Sequence, residues 1–297
     1  MSTTLATTLV LLISGQTSYV RSRVYNNPDS HCLWWPAGTL TLYQNATGLP
    51  EVTEEAGFGA IHRSLGTWQQ ALDECGNLQL LEGARIAEHE IGFDRKNIAA
   101  NRSVIVFRSH DCSRIAPSED ACWSSGGCGN KYNCWDDSLY GPGILALTTT
   151  TYDIKSGRLY DADLELNDAN FYFTTVDSPP CPDDTDSQLC AAQDVENTVT
   201  HEVGHILGLD HSPELGSTMF PSAGRGEISK RLLDPGSRKF ICEVYPKGQA
   251  SLRCELPSEP KPEPEPEPKT GCGTTSGSPL LGAGAVLLLW WRSRRRS

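Results

Sequence analysis

Residues 201–211 have the side chains needed to hold a metal ion and activate water. They read His201-Glu202-Val203-Gly204-His205-Ile206-Leu207-Gly208-Leu209-Asp210-His211. Residues four apart lie on one face of a helix, so His201 and His205 can present two imidazoles to one tetrahedral ion. His211 can join them if the chain turns at Gly208, because glycine adopts the left-handed conformation that ends a helix. Glu202 would then lie beside the ion and take a proton from a metal-bound water as general base.

This stretch resembles a known family of peptidases. It matches the HExxHxxGxxH signature of the metzincin zinc peptidases, and Ser212 directly after the third histidine resembles their matrixin branch. Residues 217–221 resemble the methionine turn of that clan, and Met219 is the only methionine apart from the initiator. Phe220 stands where astacin-like relatives have a metal-reaching tyrosine, so we expect no fifth protein ligand. The alternative is a surface helix with three solvated histidines.

The resemblance implies both a fold and an activity. The fold is α+β, with a twisted, mostly parallel sheet, an antiparallel edge strand, an active-site helix and a C-terminal helix. The activity is that of a zinc-dependent endopeptidase, with Zn²⁺ on His201, His205 and His211 and with Glu202 as the catalytic base. The substrate is a protein or peptide bound in extended form along an edge strand, which residues 143–146 resemble. The alternative is a catalytically inert surface binding module or adhesin.

Further metal sites are a separate question. Matrixins often hold a structural zinc and calcium ions near the edge strand, using histidines interspersed with aspartates. This chain has no histidine between His110 and His201, so we expect no second zinc. Calcium could bind at Asp161, Asp163 or Glu165 through oxygen ligands. We favour the alternative that these carboxylates alternate along a solvated strand face, because charged groups prefer the surface.

Composition limits the partners and the compartment. The chain has 297 residues and a net charge of -12, which argues against nucleic acid as a partner. Eleven cysteines without paired CxxC clusters indicate disulfides in an oxidising compartment. Cys272 lies beyond the globular region, which leaves ten cysteines for up to five bridges. Cys32 could instead ligate the metal, as a propeptide cysteine does in latent matrixins, but we favour a disulfide.

Local patterns predict the elements that position the motif. We expect strands over residues 40–43, 104–108, 144–152 and 158–166 and a disulfide-held loop over 112–134. We expect a first helix that is capped by Thr53 and continues to about Asp73. Asp194 should cap the metal-site helix, whose buried stripe is Val195, Val199, Val203, Ile206 and Leu207. Asp234 should begin a final helix that reaches Val244.

The two ends of the chain indicate export. Residues 1–18 resemble a signal peptide, although a first core strand is the alternative. Residues 19–256 form the expected matrixin-like domain, and 257–270 form a stiff Pro/Glu-rich linker. Residues 271–297 resemble a myxobacterial C-terminal sorting tail with a hydrophobic segment and a basic end, the alternative being a plain membrane anchor. We therefore expect a secreted or cell-surface monomer that meets a membrane only through this tail.

Overall fold

The computed structural model describes residues 18–254. The strands are β1 (Val20–Arg21), β2 (Gly38–Asn45), β3 (Leu78–Ile86), β4 (Ser103–Phe107), β5 (Ala146–Tyr152), β6 (Leu159–Leu166), β7 (Phe173–Thr174), β8 (Gln193–Asp194) and β9 (Leu209–Asp210). The helices are α1 (Glu54–Cys75), α2 (Cys112–Ile115), α3 (Cys122–Ser125), α4 (Cys128–Tyr132), α5 (Asp137–Tyr140), α6 (Val195–Ile206) and α7 (Pro235–Val244). Apart from Ser18, the predicted signal peptide, linker and sorting tail lie outside the described residues. Within those residues, no helix is long and apolar enough to cross a membrane.

A five-stranded sheet forms the centre of the fold, in the order β3-β2-β4-β6-β5. The pairings of β2 with β3, β2 with β4 and β4 with β6 are parallel. β5 pairs antiparallel with β6 and lies at one edge of the sheet. The α+β class and the mostly parallel sheet with an antiparallel edge strand are therefore confirmed.

Helix α1 forms where the sequence pattern places it. Thr53 caps the helix, because its hydroxyl accepts the backbone N–H of Ala56 at 3.3 Å. Its buried stripe includes Ile61, Leu65, Trp68 and Leu72, which belong to the main apolar core. The indole N–H of Trp68 donates to the carbonyl of Thr200 at 2.8 Å and so joins α1 to α6. The helix ends at Cys75, two residues beyond the predicted end.

Two segments differ from the expectation. β3 has no counterpart among the predicted strands, because buried and exposed side chains alternate only over its first four residues. The segment from Cys112 to Cys134, predicted as loop, holds the short helices α2, α3 and α4. Single turns of this length carry too few residues for a helical period to be read from sequence.

Five disulfides connect the ten cysteines of the described region. The pairs are Cys32–Cys254, Cys75–Cys242, Cys112–Cys134, Cys122–Cys128 and Cys181–Cys190. Two of them close inside the 112–134 segment, as expected for a polar stretch that cannot order itself by apolar burial. The disulfide role that we favoured for Cys32 is confirmed, so its sulfur is not free to bind the metal.

The expectation of a solvated carboxylate face on β6 is wrong. Asp161, Asp163 and Glu165 are buried, with exposures of 3%, 1% and 2%. Asp163 accepts the backbone N–H groups of Gly92 and Val104 at 2.6 and 2.9 Å, so the loop after β3 covers this face. Burial and the neighbouring Asp161 raise the pKa of Asp163 to about 8. In residues 18–254, the three carboxylates do not converge closely enough to share one cation.

A buried arginine holds the disulfide-rich segment on the sheet. Arg108 is 0% exposed, and its Nε donates to Glu165 Oε1 at 2.7 Å. Its two other nitrogens donate to the side-chain oxygens of Asn133 and Asn130 at 2.8 and 3.3 Å. A buried guanidinium is costly unless its donors are satisfied. This network therefore fixes the segment between β4 and β5 against β6.

Candidate metal centre

Helix α6 carries the first two histidines, and its beginning is as predicted. The side chain of Asp194 accepts the backbone N–H of Asn197 at 2.7 Å and caps the helix. The predicted apolar stripe lies in the main core. Arg231 donates to both carboxylate oxygens of Asp194, at 2.9 and 2.6 Å, so the cap is itself held in place.

The chain turns at Gly208, as predicted, with a φ of +99°. Leu209 then pairs antiparallel with Arg21 of β1. The last carbonyls of a helix need partners from outside the helix. Here the indole N–H of Trp35 donates to Ile206 O at 2.8 Å, and the hydroxyl of Tyr245 donates to Leu207 O at 2.6 Å. The helix end is thus fixed by side chains from both ends of the domain.

His201, His205 and His211 come together. One nitrogen from each ring lies within 4.8 Å of the other two. Nδ1 of His201 donates to Thr218 O at 2.7 Å, and Nδ1 of His205 donates to Leu209 O at 2.8 Å. A carbonyl oxygen only accepts, so these Nδ1 atoms carry the protons and the Nε2 lone pairs remain free for a metal. Burial and the neighbouring His205 lower the pKa of His201, which favours the neutral ring that metal binding requires.

The segment around Met219 packs directly against α6. Met219 is 1% exposed, and a Cβ placed on Gly204 would overlap its sulfur. The carbonyl of Met219 accepts the backbone N–H of Ser212 at 2.8 Å. The backbone N–H of Thr218 donates to Asp234 Oδ1 at 3.0 Å, and Asp234 also caps α7. The residues that resemble a methionine turn therefore connect the histidine cluster to the C-terminal helix.

Glu202 is a buried carboxylate beside the histidines. It is 6% exposed, and its Oε2 accepts the hydroxyl of Thr148 at 2.7 Å. Burial raises the pKa of Glu202, while the hydrogen bond from Thr148 acts in the opposite direction. Sequence reasoning missed Thr148, because it lies in a run of four threonines and nothing in the run identifies the one that meets α6.

A cavity of about 280 Å³ opens beside the cluster. Its lining is Gly143, Ile144, Leu145, Ala146, Phe171, Gln193, Asn197, Thr198, His201, Glu202, His211, Pro221, Ser222, Ala223 and Lys230. The start of the edge strand thus forms one side of the cavity, and His201 and Glu202 of α6 form another together with His211, which follows the turn at Gly208. A larger cavity, of about 690 Å³, is lined by residues 87–94, 100–102 and 104, and none of His201, His205 and His211 contributes to it.

The smaller cavity is the candidate site, because two residues of the histidine cluster and a buried carboxylate line it. Three converging imidazoles suit Zn²⁺, for which three protein ligands and one open position are typical of catalytic sites. The buried carboxylate next to them can accept a proton. Sequence reasoning also missed Lys230 in this cavity, since no local pattern marks a surface-type residue that folding will bury.

Part of the chain is similar to known metalloproteinases. Residues 142–246 match the family model described as Matrixin. The chain is 42% identical to Matrilysin of Felis catus over 52 residues, which are 18% of this chain and 20% of that protein. It is 48% identical to Metalloendoproteinase 1 of Glycine max over 40 residues, which are 14% of this chain and 13% of that protein.

A third relative gives the longest of these matches. The chain is 34% identical to Metalloendoproteinase 1-MMP of Arabidopsis thaliana over 86 residues, which are 29% of this chain and 20% of that protein. The matches to the three relatives thus span a fifth or less of each relative's length. The metal centre lies inside the matched region, and the sheet fits the fold of a matrixin catalytic domain. Residues 142–246 are therefore similar to matrixins, and together with the histidine cluster this similarity supports a zinc metalloprotease.

Proposed function

We propose that the protein is a zinc-dependent endopeptidase whose metal is held by His201, His205 and His211. The observation that carries the proposal is the convergence of three imidazole nitrogens within 4.8 Å, next to the buried carboxylate of Glu202. A zinc ion at this position would act as a Lewis acid toward a peptide carbonyl and lower the pKa of water.

Glu202 is the proposed general base. Its carboxylate accepts the proton of the attacking water and returns it to the amine that leaves, so the reaction needs no covalent intermediate. The hydrogen bond from Thr148 to Oε2 holds the carboxylate in one orientation. Such fixed geometry matters, because misplacement by about 1 Å can cost on the order of 100-fold in rate.

The proposed substrate is a protein or peptide in extended form. β5 is the edge strand of the main sheet, and every one of its residues is partly exposed. An edge strand offers unpaired backbone groups to which a further strand can bond. Residues 143–146 lead into β5 and line the cavity beside the histidines. A peptide paired along β5 would therefore pass next to the metal centre.

We further propose that the protein works outside the cytoplasm. Five disulfides in the described region favour an oxidising compartment. The resemblance of residues 1–18 to a signal peptide and of 271–297 to a sorting tail supports delivery to the cell surface or the medium. Processing of the tail near Cys272 is part of this proposal.

Substitution of Glu202 tests the catalytic proposal. We expect Glu202→Ala to bind one zinc per chain and to lose roughly 100- to 10,000-fold of the rate at which the protein cleaves an unfolded substrate. The measurements are metal content by atomic emission and cleavage of denatured casein with and without a chelator. Glu214→Ala is the matched control, because Glu214 is exposed close to the site in sequence.

The outcomes separate the alternatives. Retained cleavage by Glu202→Ala would overturn the role of Glu202. Zinc binding by the unsubstituted protein, without cleavage of denatured proteins or of a peptide library, would favour an inert binding module. If the purified protein contains no zinc, both the peptidase and the inert metal-binding module are excluded, and an adhesin remains.

A further inference from the structure

The cavity beside the histidines contains a buried positive charge. Lys230 is 5% exposed, although lysine is seldom buried without a charged partner. Its Nζ donates to the carbonyls of Phe220 and Ser222 at 2.8 and 2.7 Å. The paired carboxylate is Glu227, whose Oε1 is 3.9 Å away and therefore outside hydrogen-bonding distance. An ammonium has three N–H donors, so one donor is left without a close acceptor from the described residues.

The backbone of Lys230 is anchored to the helix beside the candidate metal centre. Lys230 lies in a single 3-10 turn over Ser229–Arg231. Its backbone N–H donates to Asn197 Oδ1 at 2.8 Å, and Asn197 lies one helical turn before His201. Arg231, the next residue, forms the ion pair with Asp194 at the start of α6. The turn is thus attached to the helix that carries His201 and His205, and the bonds of Nζ to Phe220 and Ser222 hold the ammonium itself.

The lining around Lys230 suits a polar group. Gln193, Asn197, Thr198 and Ser222 contribute to the same cavity. Glu202 is the one carboxylate among the lining residues, and its Oε2 already accepts the Thr148 hydroxyl. A volume of about 280 Å³ exceeds the ~30 Å³ share of one water molecule several times over, so a carboxylate side chain fits.

We propose that Lys230 makes this cavity a specificity pocket for an acidic side chain, aspartate or glutamate, at the substrate residue next to the cleaved bond. The proposal rests on the proposed peptidase function and adds a substrate class to it. A substrate carboxylate in the cavity would accept the third N–H of the Lys230 ammonium and form an ion pair with it. Hydrogen bonds between two charged groups are stronger than those between neutral groups. A neutral side chain in the cavity would leave the buried ammonium without an anion, which is unfavourable.

A structural role for Lys230 makes a different prediction. If the ammonium serves only to hold residues 220–222 through its two carbonyl contacts, its removal slows the cleavage of every peptide by the same factor. If it recognises the substrate, its removal changes the ratio between acidic and neutral peptides. The ratio of kcat/KM values is therefore the quantity that separates the two roles.

The test uses the zinc-loaded full chain and a peptide series. The peptides have one sequence and differ only in Glu, Gln or Leu at the residue before or after the cleaved bond. We expect kcat/KM for Glu to exceed that for Gln by roughly 10- to 100-fold at one of these positions, the range expected for one hydrogen bond to a charged group. Lys230→Met should abolish this ratio, and Lys230→Arg should keep part of it. Lys155→Met, at an exposed lysine, is the control that should leave the ratio unchanged.

Each outcome is decisive. Equal cleavage of the Glu and Gln peptides by the unsubstituted protein would overturn the pocket assignment while leaving the peptidase proposal intact. This comparison needs no variant, so it holds even if Lys230→Met fails to fold. An equal loss for all three peptides in a folded Lys230→Met would also overturn it, in favour of the structural role. Failure to cleave any peptide would remove the peptidase proposal and the pocket with it.

Discussion

Substitution of Gly208 by alanine should weaken both the fold and the metal centre. Gly208 has a φ of +99°, which L-residues rarely adopt. A Cβ there would lie 3.0 Å from the carbonyl oxygen of Leu33, which belongs to the backbone and cannot swing away. Left-handed backbone costs an alanine about 1–2 kcal/mol. The close contact adds to this cost, so we expect a loss of about 2–3 kcal/mol in the free energy of unfolding.

Gly248→Ala provides a matched control. Gly248 also has a positive φ, of +74°, but a Cβ there would meet nothing within 4 Å. The free energy of unfolding of Gly248→Ala should therefore fall only by the cost of the left-handed backbone, about 1 kcal/mol. The difference between the two variants reports the contact with Leu33 together with the larger φ of Gly208, and denaturant-induced unfolding of both variants measures it.

Zinc affinity supplies a second measurement. Gly208 separates His205 from His211, so a backbone shift at this residue moves one imidazole relative to the other. We expect Gly208→Ala to bind zinc about 10-fold more weakly in a chelator competition, the lower end of the range for changes that disturb ligand orientation. Gly248→Ala should bind like the unsubstituted protein. Equal unfolding free energies and equal zinc affinities for the two variants would refute the reasoning.

Two further predictions concern buried carboxylates. Thr148→Val should lower kcat about 10-fold with little change in KM, because the hydroxyl orients Glu202; Thr148→Ser should restore kcat, and a loss in KM alone would contradict this role. Burial raises the pKa of Asp163 to about 8 in the folded protein, against an ordinary value of 3.8. Between about pH 4 and 8 the folded protein therefore keeps a proton that the unfolded chain has lost, so the free energy of unfolding should fall as pH rises through this range. Asp161→Asn removes the neighbouring carboxyl and should flatten this fall in urea denaturation, whereas Asp29→Asn, at an exposed site, should leave it unchanged; an unaltered slope in Asp161→Asn would show that the pair is not its source.

The features that the sequence predicts well are those that depend on neighbouring residues. The four-residue spacing of His201 and His205 needs only a helix, and the turn at Gly208 needs only a residue that tolerates positive φ. The caps at Thr53 and Asp194 are local for the same reason, since each side chain bonds an N–H three residues ahead. Helix, turn and caps are accordingly found where they were predicted.

Other features depend on residues that are distant in the chain. Asp161 and Asp163 alternate like residues on a solvated strand, yet both are buried. Asp163 accepts one N–H from Gly92 in the loop after β3 and another from Val104 of β4. The strand β3 has no clear pattern of its own and is defined by its pairing with β2. Burial of these groups is decided by what packs on top of them, which no local pattern contains.

The candidate metal centre likewise combines local features with features that depend on distant residues. By itself the sequence determined the residue types of the proposed site, because three histidines and a carboxylate at fixed spacing are a property of one short helix and the turn after it. Tertiary structure decided the environment of that chemistry. It placed Thr148 from the edge strand on Glu202 and Lys230 in the adjoining cavity, 54 residues before and 28 after that glutamate. Hydrogen bonds and burial act through space, so these two residues could be recognised only once the chain was folded.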